Sequence, residues 1–201
     1  MTIMNKIREN IKMEWQDVEI IALRREEHKK KFADLNTGMF IKEQLIYFQK
    51  QVIKDMGFNI MLPSKYIMMA QEDISRKYPS VDRPNIVIGN DEGDVVFAFS
   101  DVQDHIKDDL IRENTILMIK TLLKSANPSI NFIDEGALKN NYMSCVWLGF
   151  KSYVIGGSIY NFTNIVSFVD KTILGMFSCP YNLHSWWHPI FLKILNSIEE
   201  E

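Results

Sequence analysis

Three side chains in the last quarter of the chain have the types and the spacing that zinc sites use. Cys179, His184 and His188 fall within ten residues, and thiolate and imidazole groups are the usual protein ligands of Zn²⁺. A spacing of four residues places His184 and His188 on one face of a helix. A structural zinc site needs four ligands, however, and the sequence has no second cluster of cysteine and histidine. We therefore expect no metal and no other cofactor, and keep these three residues as the candidate ligands. Polar packing beside the neighbouring tryptophans is the simpler interpretation.

A second group of residues has the types that enzymes use for acid–base chemistry. Asp101, Asp104 and His105 meet at the junction of a predicted strand and a predicted helix, and an Asp–His pair can act as a general base. The sequence fixes no nucleophile beside them. Ser158 follows a glycine pair, but Tyr160 stands where a nucleophile elbow has its second glycine. Helix capping is the simpler role for the aspartates, so we predict that the chain is not an enzyme.

Tryptophan is the residue best suited to contact another protein, because it is enriched in binding hot spots. Adjacent residues of a helix point about 100° apart, so Trp187 fits the apolar stripe of the closing helix while Trp186 lies towards the surface. We predict Trp15, Trp186 and His184 as partner-binding residues.

Composition excludes several classes of function. The chain has 201 residues, 46% of them hydrophobic and 24% charged, with a net charge of −3, as in an average globular protein. A slightly acidic chain is not typical of a nucleic-acid binder. Charges interrupt the first 20 residues, and no apolar run reaches 18 residues, so we expect neither a secretory signal nor a membrane span. Two cysteines form no disulfide framework, which favours a cytoplasmic location. The acidic charge and the lack of a long apolar run also predict that the chain binds neither nucleic acid nor a membrane.

An amphipathic pattern marks the amino-terminal part of the chain. Apolar residues recur there at helical spacing, namely Ile7, Ile11, Trp15 and Val18. Asn36-Thr37-Gly38 then interrupts the pattern. We predict a helical extension over residues 1–38 and a single domain over residues 39–201. The apolar stripe must cover the body of this chain, a second copy or a partner, so the extension is a candidate for forming a homo-oligomer.

The remaining residues alternate between strand and helix patterns. Residues 40–55 fit either a helix or a strand, and we favour strands over 44–53 and 58–62 because Phe58, Ile60 and Leu62 alternate. Further strands are predicted over 86–88, 95–99, 130–133, 142–155, 158–169 and 173–179, with a turn at Gly156-Gly157.

Two helices are predicted in the second half of the chain. One runs over about 105–126, with its inner face formed by Leu110, Asn114, Leu117 or Met118, and Leu122. The other closes the chain, with Ser185 as its N-cap and Pro189 in its first turn. Glu199-Glu200-Glu201 is predicted to be a frayed end. Short hairpin links mean antiparallel pairing, and helices segregated onto such a sheet indicate an α+β fold.

This layout resembles the PsbP-like superfamily, to which the photosystem extrinsic subunit and a Ran-binding nuclear-transport factor belong. The resemblance rests on Phe58–Pro63, a helix that ends in Asn127-Pro128, a three-strand meander, Phe177-Ser178-Cys179-Pro180, and a closing helix that ends Asn196-Ser197-Ile198. Lys77-Tyr78-Pro79-Ser80 followed by Arg83-Pro84 is similar to an uncharacterised bacterial branch. The resemblance covers about residues 40–198 and implies a twisted antiparallel sheet between helices, an α/β/α sandwich, and protein binding without catalysis.

These observations predict a non-catalytic protein-interaction domain, adaptor-like or chaperone-like, whose partner is another protein. A binder of a small apolar ligand or lipid is the alternative, because a curved sheet under helices can enclose an apolar pocket. An enzyme built on the histidines named above is the third hypothesis.

Overall fold

The computed structural model describes residues 30–81, 83–102 and 109–201, and the side chains of the last range from Asn114 onward. The chain divides into two compact units, Met1–Tyr47 and Phe48–Glu201.

The first unit contains a small antiparallel sheet in the order β1 (Ala33–Asp34), β2 (Gly38–Ile41) and β3 (Gln44–Ile46). Asp34 Oδ1 accepts hydrogen bonds from the backbone N–H groups of Asn36 and Thr37, at 2.8 and 2.9 Å. Such a side-chain bond gives the backbone an alternative to the helix. A helix is predicted for residues 1–38, of which residues 1–29 lie outside the described residues. For residues 33–38 the prediction is wrong, because these residues form strand and turn.

In the second unit, the described residues form two antiparallel sheets. The smaller has the order β13 (Glu199–Glu200), β5 (Phe58–Pro63) and β4 (Phe48–Ile53). The larger has the order β6-β7-β8-β12-β11-β10-β9. Its strands are β6 (Ile67–Met68), β7 (Ile86–Gly89), β8 (Val96–Val102), β9 (Asn131–Lys139), β10 (Ser144–Val154), β11 (Gly157–Ser167) and β12 (Thr172–Pro180). Strands, not a helix, therefore occupy residues 44–62, apart from a short 3₁₀ helix at Lys54–Met56.

The described residues of this unit also form α-helices, namely α1 (Gln71–Lys77), α2 (Asp109–Ala126) and α3 (His184–Asn196). Helix α1 has no counterpart among the elements predicted from the sequence. No helix within the described ranges is both long enough and apolar enough to cross a membrane.

The aromatic core lies between α3 and the larger sheet. Phe191 is fully buried, and its ring centroid lies 5.7 Å from that of Phe97 and 5.6 Å from that of Phe177. Phe162 is 5.9 Å from the same ring. One side chain of α3 thus contacts rings from β8, β12 and β11, and Trp187, equally buried, lies 6.3 Å from Phe97.

The opposite face of the sheet is covered by α1 and α2. Ile74 of α1 packs on Val87, Val96 and Ala98. Ile119 and Leu123 of α2 pack against a buried cluster at the other end of the sheet, formed by Ile130, Leu148 and Phe150. The observed architecture is α+β, as predicted.

The inner face of α2 is not the one that the sequence predicts. Leu117, Met118 and Leu122 are 64%, 55% and 61% exposed, while Ile119 and Leu123 pack inward. Two apolar stripes run side by side on this helix, and helical periodicity alone cannot choose between them. Packing against the sheet decides it, because Ile119 and Leu123 are the side chains that meet the buried cluster of Ile130, Leu148 and Phe150.

The carboxyl-terminal end also differs from the prediction. A 3₁₀ helix at Tyr181–Leu183 leads directly into α3, so the N-cap is Leu183 and Ser185 lies inside the helix. Pro189 is consequently the sixth helical residue, not a first-turn residue. Glu199 and Glu200 are not frayed, because they pair with Asn59 and Phe58 of β5.

The orientation of α2 gives a direct test with two adjacent leucines. We expect Leu123→Ala to lower the free energy of unfolding by about 2 kcal/mol, since it removes methyl groups that pack against a buried cluster. Leu122→Ala should change it by less than about 0.5 kcal/mol, as surface substitutions do. Urea denaturation of both variants measures the difference, and a larger loss for Leu122→Ala would restore the sequence prediction.

Candidate functional site

Two histidines and one aspartate meet on the sheet face that α3 covers. One ligating atom each from Asp134, His184 and His188 lies within 4.8 Å of the other two. His188 Nε2 is 3.4 Å from Asp134 Oδ2. We call these three residues the His–Asp cluster.

A β-bulge aims Asp134 at α3. Along β9 and β10, Asp134 pairs with Gly149, but Phe132 pairs with Phe150, so Ile133 is the extra residue of β9. Phe132 packs on the α2 side of the sheet, whereas Asp134 lies beside His188 of α3. Residues two apart in a regular strand share a face, and the bulge reverses that relation here.

Gly149 leaves the space that the polar groups of the site occupy. A Cβ atom at this position would overlap Asp134 Oδ1 and would lie 2.5 Å from the Tyr160 hydroxyl oxygen. Any other residue would therefore push these groups away from the strand. The glycine lets a carboxylate and a phenol approach the backbone between β9 and β11.

Tyr160 and Trp147 hold the ring of His188. The Tyr160 hydroxyl lies 2.6 Å from His188 Nδ1, and the Trp147 ring meets His188 edge-on at 5.5 Å. Burial raises the pKa of Tyr160, and the negative charge of Asp134 raises it further. The phenol therefore keeps its proton and serves as a hydrogen-bonding group for His188.

His184 lies against two tyrosine rings, Tyr160 at 4.4 Å and Tyr181 at 5.6 Å. Burial lowers the pKa of His184, and the nearby His188 lowers it further. The neutral imidazole is thus favoured. Its Nε2 atom and Asp134 Oδ1 are both buried and make no hydrogen bond among the described residues.

Cys179 is not part of this cluster. The spacing of four does bring His184 and His188 together, but the third member is Asp134. Cys179 is fully buried in β12, opposite Tyr160. Burial raises the pKa of its thiol, so the thiolate, the form that binds metals, is disfavoured.

A second feature is an apolar hairpin tip with a groove beside it. Tyr153 and Val154 are about half exposed, and Ile155 is fully exposed. A groove of about 520 Å³ runs along the tip. Its lining includes Lys77, Asp94, Val154, Ile155, Ile159 and Pro180. We call it the tip groove.

The other predicted site residues fall in different places. Trp186 is 39% exposed on α3 and Trp187 is buried, which agrees with their predicted orientations. Trp15, Asp104 and His105 lie outside the described residues. Asp101 is exposed near the end of β8. Partner binding by Trp15, Trp186 and His184 stays a prediction.

The sequence patterns did not single out three residues of the site, namely Asp134, Trp147 and Tyr160. The predicted strand ended at residue 133, one residue before the aspartate, whereas β9 continues to Lys139. A carboxylate at the inward parity of a strand was the available signal, since buried charges are rare without a partner.

Comparisons with protein-family models and with curated proteins give no match. Among solved structures, the solution structure of cyanobacterial PsbP (CyanoP) from Synechocystis sp. PCC 6803 is similar, with a TM-score of 0.59. The two chains are 13% identical, over 82% of this chain and 98% of CyanoP.

Two more distant structures have a TM-score of 0.46. The Ran-binding protein Mog1p of Saccharomyces cerevisiae is 6% identical over 77% of this chain and 96% of its own. LpqN of Mycobacterium tuberculosis, involved in cell envelope biogenesis, is 12% identical over 84% of this chain and 97% of its own. At this identity the similarity to CyanoP shows the fold alone, and the chain has the PsbP-like α+β fold that the sequence resemblance predicted.

Proposed function

We propose that this chain is a non-catalytic protein-interaction domain that binds a polypeptide segment in the tip groove. The observation that carries the proposal is the run of three exposed apolar residues at the end of the β10–β11 hairpin. The proposal places the interaction in the cytoplasm, because cysteines without a disulfide framework are typical of a reducing compartment.

The hairpin turn itself does not require apolar residues. Val154 pairs with Gly157, so the loop consists of Ile155 and Gly156, and Gly156 supplies the positive φ of 88°. Polar residues normally occupy the other turn positions. A fully exposed isoleucine next to an exposed valine gains nothing from packing within the described unit, and such runs are typical of functional surfaces.

The tip is also held in place, which favours binding because less freedom is lost on association. The Lys151 ammonium lies 4.9 Å from the Tyr153 ring centroid and 4.2 Å from that of Tyr181. This cation links the hairpin to the 3₁₀ helix that precedes α3.

The lining of the tip groove fits a peptide with an apolar side chain. Ile159 and Pro180 supply apolar walls, and Gly93 and Gly157 expose main chain along the groove. The Lys77 ammonium donates a hydrogen bond to the Gly93 carbonyl. Apolar walls with a few polar groups that fix orientation are the usual design of a binding site.

Two observations favour binding over the other hypotheses. No histidine occurs among the described residues that line the groove, so Ser158 has no imidazole base there. A small void in the core has no room for a water molecule. It is lined by Phe58, Phe99, Val166, Phe168, Ile173 and Ile198. A small apolar ligand therefore has no cavity at that point of the core.

A single substitution at the tip tests the peptide-binding proposal. The wild-type domain should select peptides with apolar side chains from a display library. Ile155→Asp should weaken binding of a selected peptide by about 30-fold, the loss expected at a hot spot. Fluorescence polarisation measures the affinity.

Val169→Asp is the matched control, since Val169 is also an exposed apolar residue, 80% exposed, but does not line the groove. Its affinity should equal that of the wild type. Equal losses in both variants, or no selected peptide, would contradict the proposal.

The first unit is proposed to mediate association between copies of this chain. A deletion of residues 1–38 would cut through the small sheet, because β1 and the start of β2 lie before residue 39. The deletion that removes the whole first unit is that of residues 1–47. We expect residues 48–201 to unfold at nearly the same denaturant midpoint as the full chain, and their mass in solution to fall to that of one copy. Light scattering measures the mass; a large loss of stability with no change in mass would refute this role.

A further inference from the structure

We propose that the His–Asp cluster binds one divalent transition-metal ion, with Zn²⁺ as the first ion to test, through Asp134, His184 and His188. The site would join α3 to the edge strand β9. This inference is independent of the tip groove, because the two sets of residues share no member.

The spacing of the donor atoms suits a tetrahedral ion. Zinc bonds to imidazole nitrogen and carboxylate oxygen are about 2.0–2.2 Å long, so two ligand atoms of a tetrahedral site lie roughly 3.4 Å apart. His188 Nε2 and Asp134 Oδ2 are 3.4 Å apart, and all three donor atoms lie within 4.8 Å of one another. Small side-chain rotations would bring the third atom into place.

Two buried polar atoms of the cluster require a partner. His184 Nε2 and Asp134 Oδ1 are both buried without a hydrogen bond among the described residues. Leaving such atoms unsatisfied is unfavourable, and an ion or a water molecule is the usual explanation. An ion between the histidines and the carboxylate would coordinate His184 Nε2 and draw the Asp134 carboxylate towards it.

Tyr160 completes the arrangement as a second-shell partner. A metal-binding imidazole normally hydrogen-bonds through its other nitrogen, which fixes the tautomer. His188 offers Nε2 to the cluster while its Nδ1 lies 2.6 Å from the Tyr160 hydroxyl. In the metal-bound state Nδ1–H would donate to the phenol oxygen, leaving the Nε2 lone pair for the ion.

The donor set also indicates which ions would bind. Two imidazoles and one carboxylate suit zinc and similar transition metals, whereas Ca²⁺ and Mg²⁺ prefer oxygen ligands. In the metal-bound state the imidazoles would coordinate as neutral donors and Asp134 as a carboxylate, so the donor set would carry a single negative charge. Three protein ligands leave one position of a tetrahedral site for water.

The test is titration of the full, chelator-treated chain with ZnCl₂, followed by calorimetry. We expect one ion per chain and a rise in the thermal unfolding midpoint on binding, since the ion stabilises only the folded state. Asp134→Asn and His188→Gln should each weaken binding by more than roughly 100-fold. Tyr160→Phe should weaken it by about 10–100-fold, as loss of a second-shell bond does.

Two variants serve as controls for the ligand assignment. Cys179→Ala removes the ligand that the sequence suggested, and His28→Gln removes a histidine distant in sequence; both should bind Zn²⁺ like the wild type. Circular dichroism without metal verifies that each variant is folded.

The result that overturns the proposal is a folded wild-type chain that takes up no Zn²⁺. Uptake that Asp134→Asn and His188→Gln leave unchanged overturns it equally. Either outcome would mean that the cluster is a hydrogen-bonded network holding water.

Discussion

Stacking of α3 on the aromatic face of the larger sheet orients everything that the site needs. Phe191 sits among rings from three strands, and Leu195, one turn further on, is also fully buried. Residues 184, 188, 191 and 195 are spaced by four, three and four, so they lie on one face of the helix. Once Phe191 and Leu195 face the sheet, His184 and His188 must face it too.

The sheet offers a polar surface at the point where those histidines arrive. Tyr160 stands in the aromatic row of β11, and the bulge at Ile133 turns Asp134 to the same side. Gly149 provides the space between them. The buried Asp134 Oδ1 atom beside two imidazoles is costly unless it is hydrogen-bonded, protonated or bound to an ion. The aromatic core and the His–Asp cluster therefore lie in the same interface, between α3 and the larger sheet.

Local patterns in the sequence predicted much of this fold. The alternation of Tyr160, Phe162 and Val166 matches the buried side of β11, and a glycine does form the turn before it. The spacing of the two histidines and the inward position of Trp187 were also readable, because both depend only on helical periodicity.

The features that were missed depend on contacts distant in sequence. Glu199 joins a sheet because Asn59 lies beside it, and no local pattern encodes that pairing. Asp134 reaches α3 only because of an extra residue in β9. The choice between Leu122 and Leu123 on α2 depends on which of them meets the buried cluster of the larger sheet. Each depends on how elements meet, which local periodicity does not determine.

The free energy of unfolding of the Phe191→Ala variant tests most directly whether packing on the aromatic face holds α3 to the larger sheet. Truncating a fully buried phenylalanine removes contacts with three strands, and we expect the free energy of unfolding to fall by about 3–5 kcal/mol. Loss of the Tyr160–His188 contact should accompany it, visible as a change in the histidine ring resonances by NMR. A loss below about 1 kcal/mol with unchanged resonances would show that α3 is held on the sheet by something else.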